Sequence, residues 1–136
     1  MDREVIEQKL ESLRHCLRRI ETKCPADAAM LAADLDLQDI ISLNLSRAVQ
    51  IVVDIGAHLL AGMESPPPDT MGQTFDLLAQ EGVLNSELAS RLKKAVGFRN
   101  IAVHNYERIN WNIVHNIVKY RLADFSAFAE AVAMRL

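Results

Sequence analysis

Apolar residues recur every three or four positions along most of the chain, which is the spacing of an amphipathic helix. In the first segment one face carries Val5, Ile6, Leu10, Leu13, Leu17 and Ile20. Asp2 is the predicted N-cap, and the helix is predicted to end near Lys23 because Pro25 disfavours helix in the residue before it. No stretch keeps the strict alternation of a β-strand, so the pattern predicts an all-α fold.

The same periodicity predicts the rest of the architecture. The further elements are a helical region from Asp27 to Gly62 that is broken within 34–39, a short helix over 73–80, a helix from the N-cap Ser86 to about Val103, and a last helix from Trp111 to the C-terminus. Pro66, Pro67 and Pro68 make 63–70 a loop, and Gly62 can act as a C-cap. We therefore predict an up-and-down bundle of four to five helices, forming a single domain over 1–136.

The charge of the chain is unevenly distributed. The net charge is −3, which argues against bulk attraction to nucleic acid. Between residues 88 and 108, however, five basic residues stand against one acid, Glu107. The bases are Arg91, Lys93, Lys94, Arg99 and Arg108. We predict that Arg91, Lys93 and Lys94 contact an RNA backbone, the alternative being an ordinary solvated helix face.

The cysteines and two of the histidines carry little functional signal. Cys16 and Cys24 have neither a C-x-x-C spacing nor a histidine at zinc spacing, so we expect reduced thiols and no metal site. His15 and His115 are expected to be exposed on helices.

The chain is expected to be cytoplasmic. It is charged from Asp2 onward, which does not fit a secretory signal. The most apolar run, 51–61, is interrupted by Asp54 and His58 and is expected to be too short and too polar to span a bilayer. We expect no membrane partner and no cofactor.

The segment with the strongest chemical signal is Phe98–Tyr106, which reads FRNIAVHNY. Arg99 and His104 are five residues apart, or roughly 140° around a helix axis, so they do not share a face of one ideal helix. Asn100 and His104, four apart, do share one. Arg99 and His104 can therefore converge in two ways. Either the helix loosens near His104, with Asn105 in the left-handed conformation that often ends helices, or the site draws on two chains.

An arginine and a histidine at one site suit RNA cleavage. The 2′-hydroxyl of RNA is a nucleophile placed beside the scissile phosphate, and an imidazole can accept or donate its proton near neutral pH. A guanidinium can bind two phosphate oxygens and stabilise the charge that builds in the transition state. The sequence shows no carboxylate cluster for a metal ion. This chemistry predicts 2′,3′-cyclic phosphate ends and activity in EDTA.

The segment FRNIAVHNY resembles the R-x4-6-H signature of HEPN ribonucleases, and more narrowly the R-x4-H-x-Y form of HepT toxins. The resemblance extends to the segment Gly82–Leu84 and to a polar stripe on the long helix. That stripe comprises Arg47, Gln50, Asp54, Ile55 and His58. The resemblance implies a HEPN bundle, catalysis by Arg99 and His104 on mRNA or tRNA, and a homodimer whose two motifs line a shared cleft.

The resemblance also implies a protein partner. The antitoxins of HepT toxins are minimal nucleotidyltransferases (MNT proteins), which transfer AMP from ATP to the motif tyrosine, here Tyr106. The added nucleotide would place negative charge and bulk beside a site for an RNA backbone, and both would disfavour RNA binding.

Several alternatives remain open at this point. Arg47, Asp54 and His58 lie on roughly one helical face, where they could support the cleft together with Asn100. Alternatively, an Arg47–Asp54 ion pair could fix the register of the bundle. The whole chain could also be a non-catalytic HEPN module that binds substrate or nucleotide for a nucleotidyltransferase, or a structural helical adaptor. Under the adaptor hypothesis, His104→Ala would have no effect.

Overall fold

A computed structural model describes residues 2–136 of the chain, and this part is all-α, which confirms the predicted fold class. It contains seven α-helices and one 3₁₀ turn. The helices are α1 (Arg3–Lys23), α2 (Ala28–Ala33), α3 (Leu35–Ala61), α4 (Met71–Gln80), α5 (Ser86–His104), α6 (Trp111–Arg121) and α7 (Ala123–Ala133), and the 3₁₀ turn is Tyr106–Arg108.

The helix count exceeds the predicted four to five because two predicted elements are divided. Asp34 separates α2 from α3: its N–H donates to Leu31 O at 3.3 Å, and its carboxylate accepts from Leu37 N at 3.1 Å. One residue thus ends one helix and caps the next. Leu122 separates α6 from α7 while keeping helical dihedral angles (φ −62°, ψ −30°). This second break therefore interrupts the helical hydrogen bonds but changes the local backbone conformation little.

The predicted caps are confirmed at two positions and wrong at one. Asp2 Oδ1 accepts a hydrogen bond from Val5 N at 3.3 Å, and Gly62 is the C-cap of α3. The N-cap of α5, however, is Asn85, whose Oδ1 accepts from Leu88 N at 2.8 Å. Ser86 is the first residue of that helix. Both residue types are good N-caps, so their order alone could not identify the cap.

The long helix α3 is the centre of the bundle, and it packs on α1, α4 and α5. Phe75 of α4 and Phe128 of α7 meet edge to face, with ring centroids 6.3 Å apart. The largest fully buried side chains are Phe75, Phe125, Phe128, Ile6, Leu13, Ile20, Leu31, Ile41, Leu45, Ile55, Leu60 and Leu78. Burial of each such side chain stabilises the fold by about 1.5–3 kcal/mol, so this core holds the site helices α3 and α5 in fixed positions.

The apolar run 51–61 is the C-terminal part of α3, as the predicted helix up to Gly62 implies. By length and composition alone, α3 is long and apolar enough to cross a membrane. However, 56% of its most apolar window is buried inside the bundle, and the core helix of a globular protein passes the same test. The apolarity of α3 is accounted for by its central position.

The corner between α1 and α2 is tied to α6. Cys24 caps α1, with its N–H on Ile20 O at 2.9 Å, and burial raises the pKa of its thiol. The next residue, Pro25, offers its carbonyl oxygen to His115 Nε2 at 2.9 Å. A carbonyl only accepts, so Nε2 carries the hydrogen. His115 is buried, and the expectation that it is exposed was wrong.

Helices α3 and α4 approach closely at Gly56, and this contact yields a stability prediction. A Cβ atom on Gly56 would lie 2.6 Å from Thr74 Cγ2 and 2.9 Å from Leu78 Cδ1. Thr74 and Leu78 are both buried, so Gly56→Ala should cost about 1–3 kcal/mol in overpacking, against about 1 kcal/mol gained in helix propensity. Denaturant unfolding should therefore show a net loss of stability.

Gly97 of α5 is the matched control, because a Cβ atom there meets nothing within 4 Å. Gly97→Ala should raise the free energy of unfolding by up to about 1 kcal/mol. If both substitutions shift stability in the same direction and by a similar amount, the close packing of α3 on α4 at Gly56 is not what determines the effect.

Candidate functional site

Helix α5 carries Arg99 and His104 and stays regular to its end. Asn105 N donates to Ile101 O at 2.8 Å, which completes the last helical turn. Asn105 leaves the helix with φ −154° and ψ 56°, outside the left-handed region. The suggestion that the helix loosens near His104 is therefore wrong. A regular helix keeps Arg99 and His104 about 140° apart around its axis, so one chain directs them to different sides.

Both motif residues are available to an anion. Arg99 is half-buried, and its Nη1 makes a long contact of 3.5 Å with Asn100 Oδ1. His104 and Asn100 are exposed. Within residues 2–136 no carboxylate forms an ion pair with Arg99 or His104. A guanidinium without a protein counter-ion retains its full hydrogen-bonding capacity for a phosphate.

Tyr106 follows immediately, on the 3₁₀ turn, and is tied to the start of α3. Its hydroxyl donates to Asp39 Oδ1 at 2.6 Å and lies 3.4 Å from Ser42 Oγ. Its ring meets Trp111 of α6 at an angle of 64°, with centroids 5.8 Å apart. The residue is 37% exposed, so the phenol is held on three sides but still reaches solvent.

The surroundings of Tyr106 favour the neutral phenol. Burial raises the pKa of Tyr106, and the hydrogen bond to Asp39 and the negative charge of Asp39 raise it further. The contact with Ser42 lowers the pKa and so acts in the opposite direction. The hydroxyl therefore keeps its proton at neutral pH, and a reaction at its oxygen must dispose of that proton.

The polar stripe of α3 faces α1. Asp54 Oδ1 accepts from Gln50 Nε2 at 2.9 Å, and Lys9 Nζ of α1 lies 3.8 Å from Asp54 Oδ2. Arg47 is exposed and, with Gln50, lines an open groove between α1 and α3. The alternative of an Arg47–Asp54 ion pair is wrong, since the described chain does not form it.

The rest of that stripe is not tied to the motif either. His58 is half-buried one turn after Asp54. In the part of the chain from Asp2 onward, no hydrogen bond or ion pair joins Arg47, Asp54 or His58 to Arg99 or His104. A role of these three residues in the cleft therefore stays a prediction.

The three cations preceding the motif differ in their partners. Arg91 Nε contacts Asp124 Oδ1 at 2.9 Å and its Nη1 lies 3.3 Å from Glu87 Oε1, while Lys93 Nζ contacts Asp76 Oδ2 at 2.7 Å. Lys94 makes no ion pair with any described residue. It lines a cavity of about 250 Å³ between α5, α6 and α7, which Arg121 also lines. Of the three predicted RNA contacts, Lys94 has its charge most available.

Asp39 and Ser42 contact the motif tyrosine but were not predicted as site residues. They lie three positions apart on α3, where polar residues could be read only as part of a helix start. Their partner Tyr106 is 67 and 64 positions away, and no spacing rule links positions so distant. As for metal ligands, the described residues form no group of three or more His, Cys, Asp or Glu that could hold a metal ion.

Comparisons with known proteins identify the same family. The family model described as ribonuclease HepT-like matches residues 13–132. The mRNA nuclease HepT of Shewanella oneidensis is 34% identical over 129 residues, covering 95% of this chain and 96% of the relative. The tRNA nuclease HepT of Aphanizomenon flos-aquae is 24% identical, covering 94% of this chain and 87% of the relative.

The fold comparison agrees. The tri-AMPylated Shewanella oneidensis HEPN toxin, solved in complex with an MNT antitoxin, superposes with a TM-score of 0.91 at 34% identity. The match covers 98% of this chain and 99% of that toxin. A Bacillus subtilis cytosolic protein of unknown function, YutE, matches with a TM-score of 0.86 over 99% of this chain and 90% of YutE. At 18% identity, that likeness shows the fold alone.

Proposed function

Since this chain belongs to the ribonuclease HepT-like family, we propose that it is a cytoplasmic, metal-independent endoribonuclease that acts as the toxin of a toxin–antitoxin pair. Residues 1–136 form its single HEPN domain. The observation that carries the proposal is the motif at the end of α5, where Arg99 and His104 form no ion pair with any residue that the structure describes. Its substrate is mRNA or tRNA, the two substrates named for its relatives.

The proposed reaction uses the nucleophile that RNA already contains. His104 takes the proton from the 2′-hydroxyl or returns one to the leaving 5′-oxygen. The 2′-oxygen forms a bond to phosphorus as the bond to the 5′-oxygen breaks, which leaves a 2′,3′-cyclic phosphate and a 5′-hydroxyl. Arg99 binds the phosphate oxygens and stabilises their growing charge. No step requires a metal ion.

Binding of the RNA strand is assigned to residues around this centre. Lys94, which forms no ion pair with a described residue, contacts the backbone, and Arg91 and Lys93 contribute less because carboxylates already neutralise them. Asn100, exposed one residue after Arg99, contacts the nucleotide at the scissile bond. Arg47, Asp54 and His58 are assigned a supporting role in the cleft.

A homodimer reconciles the motif with the regular helix. Because α5 keeps Arg99 and His104 on different sides, a two-fold axis beside α5 would bring Arg99 of one chain towards His104 of the other. Such a dimer contains two equivalent sites, each built from both chains. The exposed apolar residues Ile101 and Val103, between the two motif residues, suit this interface.

A mixture of two inactive variants tests both the activity and the shared site. Arg99→Ala and His104→Ala chains, each inactive alone, are expected to recover about a quarter of wild-type cleavage when unfolded together and refolded. Half of randomly formed dimers are mixed, and each mixed dimer holds one complete site of two. Cleavage of labelled RNA should be followed in EDTA, with analysis of the 3′ ends.

The same mixture distinguishes the alternatives. A site contained within one chain predicts no recovery, because no chain in the mixture holds both residues. Loss of wild-type cleavage in EDTA, or 3′ ends without a cyclic phosphate, would contradict the proposed reaction itself. A double variant lacking both residues, mixed with wild-type chain, controls for subunit exchange.

The partner is proposed to be a minimal nucleotidyltransferase antitoxin that transfers AMP to Tyr106. Tyr106 lies two residues after His104, so a nucleotide on its oxygen would place a phosphate next to the cleavage site. That charge competes with the RNA phosphate for Arg99, and the adenosine adds bulk at the entrance. The complex of the tri-AMPylated relative with its MNT antitoxin supports this proposal.

A further inference from the structure

The hydroxyl of Tyr106 is a potential nucleophile that a short hydrogen bond holds in place on the surface of the protein. Its oxygen lies 2.6 Å from Asp39 Oδ1, a distance typical of a strong hydrogen bond from a hydroxyl to a carboxylate. The carboxylate can only accept, so the hydroxyl hydrogen points towards Asp39. The proton that must leave for any reaction at Oη therefore already faces an acceptor.

The remaining surroundings leave the oxygen open to attack an electrophile. Ser42 Oγ lies 3.4 Å from Oη and 3.3 Å from the Asp39 carbonyl oxygen, and its single hydrogen serves one of them at a time. At least one lone pair of Oη thus stays free. Trp111 packs on the ring rather than on the oxygen, and Tyr106 is 37% exposed.

No other charged group bonds this hydroxyl in the described structure. Glu107 and Arg108 follow on the same 3₁₀ turn but are exposed and form no hydrogen bond with Oη. From α3 the charged neighbour is Asp39, and from α6 the neighbour is the neutral indole of Trp111. Asp39 is therefore the one described side chain placed to take the phenolic proton.

We propose that Asp39 is the general base for AMP transfer to Tyr106, so that the toxin itself supplies a catalytic residue for its own neutralisation. The inference rests on the proposed function of Tyr106 as the AMP acceptor. In the step, Oη forms a bond to the α-phosphorus of ATP, which the nucleotidyltransferase holds. The bond from that phosphorus to the bridging oxygen breaks, pyrophosphate leaves with the electron pair, and the phenolic proton moves to Asp39 Oδ1.

The neutral state of the phenol makes a base necessary. Burial and the neighbouring carboxylate raise the pKa of Tyr106, so little phenolate is present near pH 7. Without a base, the reaction would have to wait for that small fraction. With Asp39, the proton leaves as the oxygen attacks, an arrangement that typically accelerates a reaction by about 10²–10⁴-fold.

The test is the rate of label transfer from α-³²P-ATP to the full-length chain by its cognate nucleotidyltransferase. Asp39→Asn keeps the shape and an acceptor for the hydroxyl but removes the base. We expect this variant to slow transfer by about 10²–10⁴-fold, while Asp39→Glu restores a substantial part of the rate. RNA cleavage by the unlabelled variants should be unchanged, because Asp39 takes no part in that reaction.

The pH profile separates a base from a residue that only orients the ring. Between about pH 6.5 and 8.5, the Asp39→Asn rate should rise about tenfold per pH unit, because phenolate must form first, and the wild-type rate should change much less. Asp36→Asn is the matched control: it is an exposed carboxylate in the first turn of α3 and should transfer label at the wild-type rate.

The outcomes are distinguishable. If Asp39→Asn is labelled as fast as wild type, or more slowly but with the wild-type pH profile, Asp39 is not the base. If Tyr106→Phe is labelled as fast as wild type, the acceptor is elsewhere, and the proposed role of Tyr106 fails together with the inference. Melting temperatures and affinity for the nucleotidyltransferase, measured for each variant, keep a folding or docking defect from being mistaken for lost chemistry.

Discussion

RNA cleavage by the His104→Ala variant is expected to fall by about 10²–10⁴-fold, the usual contribution of a general acid or base. Arg99→Ala should lower it by about 10²–10³-fold, because the phosphate loses its positively charged hydrogen-bond donor in the transition state. Neither variant should unfold, since His104 is exposed and, among the described residues, the hydrogen bond of Arg99 is the long 3.5 Å contact with Asn100. Single-turnover cleavage of end-labelled RNA measures both effects.

One substitution on α1 controls for the loss of an exposed arginine. Arg18→Ala removes an exposed side chain that is assigned to neither the motif nor the cleft, and this variant should cleave at the wild-type rate. Wild-type-like cleavage by His104→Ala would contradict the assigned role. A wild-type chain that cuts no RNA and causes no growth arrest would favour the alternative of a non-catalytic HEPN module.

Tyr106→Phe is expected to abolish AMP transfer to the chain while leaving RNA cleavage within about threefold of wild type, because the substitution removes only a hydroxyl that the cleavage reaction does not use. Cells that express this variant together with the nucleotidyltransferase should therefore stop growing, whereas cells with the wild-type pair should grow. Intact-mass spectrometry of the purified toxin would show the missing nucleotide.

Tyr120→Phe is the matched control, since Tyr120 of α6 is 63% exposed and is not bonded to a carboxylate in the described structure. This variant should still be modified and neutralised. If Tyr106→Phe were neutralised as well as wild type without carrying AMP, the antitoxin would act by binding alone. Growth arrest by both tyrosine variants would indicate a general effect on the complex.

The long elements could be predicted because their periodicity is strong and their ends carry caps. The break within 34–39 and the N-cap Asp2 are examples. Aspartate is a favoured N-cap residue, and both Asp2 and Asp34 cap helices in the structure. The break at Leu122 could not be predicted. Leucine is a good helix former and keeps helical angles there, so the division between α6 and α7 depends on packing rather than on local preference.

The candidate site divides in a similar way. One short segment was enough to predict Arg99, His104 and Tyr106, because it contains all three residue types at the spacing of the motif R-x4-H-x-Y. Asp39 could not be, since its contact with Tyr106 spans 67 positions and exists only once α3 and α5 are packed. Asp54 is the opposite case. Its position on the polar face of α3 could be predicted from helical spacing, but its ion pair with Lys9 depends on how α1 packs against α3.

The hydrogen bond that ties Tyr106 to Asp39 cannot survive the proposed modification. An esterified oxygen has no hydrogen left to donate, and the attached phosphodiester is an anion that the carboxylate repels. The turn after His104 would then lose its hydrogen bond to Asp39 at the start of α3, while the weaker contact with Ser42 and the packing of the ring on Trp111 would remain. A single nucleotide would thus both block the cleft and loosen the backbone beside it, which should appear as faster amide hydrogen exchange at residues 106–108 in the modified toxin.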